Sequence, residues 1–107
     1  MDTGKVQFDV LLLGAHRTGG GIIETLQSQK SSYLAIDHDP RLVMRLMESG
    51  IPIIFGSADD PVFLDELDFS QAKVVFSTIP DVNINNFLLN YLKNRNSNLQ
   101  IICLAPS

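Results

Sequence analysis

The chain has 107 residues, 45% of them hydrophobic, with twelve acidic against eight basic side chains for a net charge of −4. That length supports one domain with one core and leaves no room for separate cofactor and substrate domains. The acidic balance and the lack of a basic patch argue against a nucleic-acid or anionic-membrane surface, and no apolar run approaches the roughly 20 residues that cross a bilayer. The amino terminus lacks the apolar core of a signal peptide, so a cytosolic chain is expected. The single cysteine, Cys103, lies in an apolar run; it is expected to be a small buried core residue in a reducing compartment.

Residues 1–4 are expected to fray. Val6 to Leu13 reads as a first strand, ending in a run of leucines suited to burial on both faces. A helix follows from Gly19 to about Lys30, with Ile22, Ile23 and Leu26 on one face. "SSYLAID" is a second strand, after which Asp39 can cap a helix and Pro40 can take its first position. That helix carries Leu42, Val43, Leu46 and Met47 at core spacing and stops at Gly50, a residue suited to a left-handed terminator. "IPIIFG" is a third strand. Asp59 and Asp60 before Pro61 start a short helix that runs to about Leu67, and "AKVVFST" is a fourth strand. Ile84, Phe87, Leu88, Tyr91 and Leu92 then repeat with the clearest helical period in the chain, and "LQIICLA" is a fifth strand.

Strands alternating with helices over short connections imply an α/β fold: a Rossmann-like, doubly wound parallel sheet, because parallel neighbours need right-handed crossovers. The expected order is third, second, first, fourth, fifth strand (3-2-1-4-5). In that topology a ligand crevice lies outside the carboxyl ends of the first and fourth strands, which is where the loop after Leu13 sits.

Gly14 and Gly19 have the spacing of the first and third glycines of G-x-G-x-x-G; the first permits a tight turn and the third brings helix close to strand. His16 stands in the middle position, where a second glycine would let a pyrophosphate lie flat on the backbone. Asp37 ends the second strand 18 residues after Gly19, near the spacing of a carboxylate that accepts ribose hydroxyls. Arg17 can pair with phosphate oxygens. Together these features predict nucleotide binding. A purely structural role, with the glycines shaping a turn and Asp37 bracing a loop, is the alternative. His16 and His38 lack a third ligand at any recognised metal spacing, so no metal site is expected. Gly20 and Gly21 cost helix propensity, for which close helix packing or ligand approach are the two available reasons.

The segments "DVLLLGAHRTGGGI", "AIDHDPRLVMRLMESGIPIIFGSADDPVFLDEL" and "AKVVFSTIPDVNINNFLL" resemble the amino-terminal lobe of an RCK domain (regulator of K+ conductance), also called TrkA-N or KTN. "AHRTG" and "STIPD" most resemble versions attached to Kef-type and related cation/proton antiporters. The resemblance covers about Phe8 to Ala105 and treats residues 1–107 as a single lobe. It implies a regulatory module, not an enzyme, on the cytosolic face of the cell membrane. Such a module dimerises, binds NAD(H), AMP, ADP or ATP, and gates a channel or K+ or Na+/proton antiporter domain of the same native chain.

Carried onto this chain, the segment Gly14, Ala15, His16, Arg17, Thr18 and Gly19 would hold the phosphates, and Asp37, with His38 beside it, the ribose. Gly56, Ser57 and Ala58 would border the adenine, and Thr78, Ile79 and Pro80 would close the other side. Asn85 matches a common family asparagine. His16 departs from the family's middle glycine and Ser57 from its usual aspartate. The resembled lobe continues beyond a fifth strand, so the chain is expected to be part of a longer one, with an open edge and a bare face around Ile101 and Cys103 that self-associates. Two other classes compete with a regulatory module. A small NAD(P)-dependent oxidoreductase needs a catalytic acid or base and a substrate pocket. A phospho-receiver needs carboxylates where Gly14 and Gly56 stand.

Overall fold

A computed structural model describes residues 5–16, 18–29 and 32–104. In chain order the elements are β1 (Val6–Gln7), β2 (Val10–Leu13), α1 (Thr18–Ser28), β3 (Tyr33–Asp37), α2 (Pro40–Glu48), β4 (Ile53–Phe55), α3 (Pro61–Leu64), β5 (Leu67–Asp68), β6 (Val74–Ser77), α4 (Val82–Arg95) and β7 (Gln100–Cys103). Five strands form a parallel sheet in the order β4-β3-β2-β6-β7. Counting only these five along the chain, this is the expected 3-2-1-4-5.

The sheet separates two apolar layers, and alternation along each strand decides which residue joins which. Leu11, Leu13, Leu34, Ile36 and Val75 face Leu64 of α3 and Leu88, Tyr91 and Leu92 of α4. Leu12, Ala35 and Ile53 face Ile23 of α1 and Leu42 and Val43 of α2. Side chains two residues apart share a face, so a single run such as Leu11–Leu12–Leu13 supplies both layers. Among the described residues no helix is long and apolar enough to cross a membrane.

Four sequence expectations are corrected. The first strand is not continuous: Val6–Gln7 pairs with Leu67–Asp68 in a separate two-stranded parallel sheet, and only Val10–Leu13 enters the main one. The break falls at Phe8 and Asp9, between the two pieces. The Phe8 ring is fully buried there and meets Phe69, just beyond the partner strand Leu67–Asp68, edge-on at 5.4 Å. The helix begun at Asp60 ends at Leu64, not near Leu67, because Leu67 is buried in the core and its backbone pairs with Val6. Cys103 is exposed, not buried: it is the last residue of β7, which is an edge strand of the sheet. Of the two residues expected on a bare face, Ile101 is partly buried against the α4-side core and only Cys103 is exposed.

The connections put the loops where the sequence places them. Asp39 caps α2 through the amides of Arg41 and Leu42, with Pro40 following, and Gly50 adopts φ +84° past the helix end. Asp60 caps α3, and Asp81 caps α4 through Asn83 and Ile84. All three carboxylates satisfy amides that a helix start would otherwise leave open.

Candidate functional site

The carboxyl ends of β2, β3, β4 and β6 open onto one cleft of about 230 Å3, lined by Leu13, Gly14, His16, Ile36, Asp37, His38, Gly56, Ala58, Thr78, Ile79 and Pro80. Nine of these are residues singled out in the sequence. The cleft stands at the point where the winding of the sheet reverses, β3 lying to one side of β2 and β6 to the other, which is where open α/β sheets take ligands.

The glycine loop is built by close approach. Gly14 has φ +93°, and a Cβ there would overlap the Thr78 hydroxyl. Thr78 in turn donates from its amide (2.9 Å) and hydroxyl (3.0 Å) to the Leu13 carbonyl, which ties the β6 turn to the β2 turn. A Cβ on Gly19 would overlap the Gly14 carbonyl oxygen, so α1 sits directly against the strand end. Gly20 and Gly21 are different: a Cβ on either would meet no atom within 4 Å. Packing inside the protein therefore does not require glycine at these two positions.

Asp37 is 5% exposed, and it and Ser77 are the buried polar side chains among the described residues. One oxygen accepts from the Ala15 amide and the other from the Asp39 amide, both at 2.9 Å. The carboxylate thus locks the glycine loop to the turn that starts α2. Two amides leave acceptor capacity on both oxygens. The loop's own amides are partly committed: Gly14 donates to Ile36 O (2.8 Å) and Gly19 to His16 O (2.7 Å), besides Ala15 to Asp37.

Two histidines stand at the rim. His16 Nε2 lies 3.4 Å from Asp39 Oδ2, and the exposed His38 places Nδ1 3.9 Å from Asp37 Oδ1. The Leu42 amide, followed by the Arg41 amide and His16, holds the Asp39 carboxyl below its usual range. On the opposite wall, Gly56 lies under the Phe63 ring, which a Cβ would overlap, and its amide donates to Asp37 O at 3.1 Å.

The structure brings Gly14, His16, Asp37, His38, Gly56, Ala58, Thr78, Ile79 and Pro80 to the cleft. Ala15 is buried behind it, contributing its amide to Asp37, and Gly19 is buried at the start of α1. Thr18 is the first residue of α1. Ser57 is exposed, does not line the cleft, and donates to Asp59; Asp59 is thus engaged in the loop, and Asp60 alone caps α3. Arg17 lies outside the described residues. Leu13 and Ile36 were missed as wall residues, although each immediately precedes a predicted site residue and so had to reach the same strand end.

Residues 10–107 match the TrkA-N domain family. No curated protein sequence matched the chain. Among solved structures, the TrkA-N domain of the inner membrane protein ybaL from Escherichia coli superposes with a TM-score of 0.83 at 23% identity, covering 94% of this chain and 75% of that one. The NAD(P)-binding domain of an exopolyphosphatase-related protein from Archaeoglobus fulgidus gives 0.78 at 21% identity over 90% of this chain and 71% of that one. The GsuK channel bound to NAD gives 0.79 at 18% identity, covering all of this chain and 19% of the channel.

Proposed function

From the premise that this chain belongs to the TrkA-N domain family, we propose that it is a regulatory module that binds an adenine nucleotide, NAD(H) or AMP, ADP or ATP, in the cleft beside Gly14. The observation that carries this reading is the buried Asp37 carboxylate, fastened to the glycine loop and lining a cleft with apolar walls. Its remaining acceptor capacity suits the ribose hydroxyls. The base would lie between Gly56 and Ala58 on one side and Thr78, Ile79 and Pro80 on the other. A volume of about 230 Å3 is below the roughly 300–1,000 Å3 that encloses a drug-sized ligand. It suits a nucleoside, with the phosphates outside at the α1 amino terminus, where the helix dipole favours anions.

Binding of this kind regulates only if it favours one conformation of a partner over another. The partner proposed is the membrane domain of a channel or Kef-like cation/proton antiporter in the same native chain, with this module on the cytosolic face and paired as a homodimer. NAD bound to the GsuK channel supports the dinucleotide as one candidate ligand.

The test is titration calorimetry of the chain with AMP, ADP, ATP, NADH and NADPH. Binding of at least one adenine nucleotide is expected, with NADPH weaker than NADH because the Asp37 carboxylate repels a 2′-phosphate. Absence of all binding overturns the reading. An assay for NAD(P)H-dependent reduction distinguishes the oxidoreductase alternative, and no turnover is expected.

A further inference from the structure

The second buried polar side chain, Ser77, lies at the end of β6 and is 1% exposed. Its hydroxyl donates to Asn85 Oδ1 at 2.7 Å and accepts from the Ile79 amide at 3.3 Å, while Asn85 Nδ2 donates to the Ile79 carbonyl at 2.9 Å. Its carbonyl accepts from the Leu104 amide at 2.7 Å. One buried residue therefore joins three pieces: the turn after β6, the first turns of α4, and the end of β7. Buried polar groups linked in this way act as a unit, since breaking one link leaves the others unsatisfied.

The turn held by this ring has two sides. Ile79 and Pro80 line the nucleotide cleft, and the same two residues line a second groove with Val82, Asn86, Cys103 and Leu104 between α4 and β7. The neighbouring Thr78 is bonded to Leu13 and packed against Gly14. A ligand that presses on Ile79 or Pro80 from the cleft therefore moves the wall of the groove.

We infer that Asn85 is a positioning residue that couples the two cavities, so that a nucleotide in the cleft alters the groove between α4 and β7 through the shared Ile79–Pro80 wall. The inference rests on the nucleotide reading above and adds its route of output. It requires that the ligand contact two arrangements of the turn unequally. Asn85 sets those arrangements because it grips the turn at both the Ser77 hydroxyl and the Ile79 carbonyl.

Cys103, the single cysteine of the chain and an exposed residue of the groove, is a built-in reporter. The experiment measures its labelling rate by a thiol reagent with and without saturating AMP or NADH, alongside calorimetry under the same conditions. The nucleotide is expected to change the rate by about fivefold or more, the low end of ordinary coupling factors. Asn85→Asp keeps an acceptor for Ser77 but loses the donor to Ile79. In that variant the nucleotide should still bind, and its effect on Cys103 should vanish. Ser77→Ala, which opens the ring from the other side, should behave alike, and thermal melting confirms that each variant is folded. An unchanged Cys103 rate in the nucleotide-bound wild type overturns the inference alone. An undiminished response in both folded variants overturns the role of Asn85. If neither nucleotide binds the wild type, the calorimetry shows that the nucleotide reading has failed and the coupling falls with it.

Discussion

Two aspartates, Asp37 and Asp65, show how the same side chain serves opposite purposes at two places in one fold. Asp37 is buried and is met by backbone amides, which are fixed by the loops on either side of it. Asp65 follows α3, is more than half exposed, and is met by side chains: the Tyr91 hydroxyl and Arg95 Nη2 at 3.0 Å, with the Arg95 guanidinium 3.4 Å from the centre of the Tyr91 ring. Amides donate once each and leave the carboxylate with capacity to spare in a cleft. The Tyr91–Asp65–Arg95 group, with both side-chain donors on Asp65 Oδ1, fastens α3 to α4 at the exposed surface and lies outside the cleft beside Gly14. The buried carboxylate held by backbone amides braces two loops beside a cleft; the exposed one held by side chains clasps two helices.

Substitutions should expose this difference in order of size. The largest effect is expected from Asp37→Ala, which strips the acceptor from the Ala15 and Asp39 amides. At roughly 1.5–3 kcal/mol for each hydrogen bond to a charged group, about 3–6 kcal/mol of stability should be lost in denaturant unfolding, and nucleotide affinity should fall as well. Asp37→Asn retains one acceptor and should recover part of the stability. If its nucleotide affinity nevertheless stays low, the carboxylate contacts the ligand as well as bracing the loop.

Next in size, Gly14→Ala forces a Cβ onto the Thr78 hydroxyl at φ +93°. Strain of that kind is expected to cost about 2 kcal/mol, again read from denaturant unfolding. Gly21→Ala should do the reverse. Its Cβ would meet nothing, so helix propensity alone acts, and stability should rise by about 0.5–1 kcal/mol. A melting temperature that falls instead would show that Gly21 answers to a contact the fold does not display.

The smallest effect at neutral pH belongs to the clasp. Burial, with Asp65 adding to it, pushes the Tyr91 hydroxyl up to about 12, while the Tyr91 hydroxyl, and after it Arg95, holds Asp65 below the usual carboxylate range. A raised tyrosine keeps its proton in the folded state after the unfolded chain has lost it. Its contribution is therefore complete below about pH 10, the usual tyrosine value, and is lost as pH rises toward about 12. Ultraviolet titration should show this phenol ionising late, and Asp65→Asn should bring it earlier. Asp65 works with the opposite sign: its contribution is present above the ordinary aspartate value and disappears as pH falls through its lowered one.

The legible parts of this protein are those where local chemistry and long-range order agree. The Leu11–Leu12–Leu13 run and the caps at Asp39 and Asp60 act within a few residues and follow from local spacing, whereas Gly14 and Asp37 were marked by the motif they share and act at long range, on Thr78 and on Ala15. The pairing of Val6–Gln7 with Leu67–Asp68 is marked by neither, since two residues carry no period and the partners are about 60 positions apart. Cys103 and Ser57 were misplaced for a related reason. An apolar run does not reveal that its strand lies at a sheet edge, and a motif position does not reveal that a serine prefers its own loop's Asp59. Ser77 was equally hidden: a serine in an apolar strand looks incidental until Asn85 and Leu104 are brought to it.

The most direct measurement of the central claim is an amide-resolved NMR titration of the chain with AMP. The account predicts that the largest shift changes gather at Gly14, His16, Asp37, His38, Gly56 and Thr78, the rim and floor of one cleft, while Asp65, Tyr91 and Arg95 stay still. Changes centred on the clasp, or a spectrum that AMP leaves untouched at millimolar concentration while NADH also fails to shift it, would contradict it.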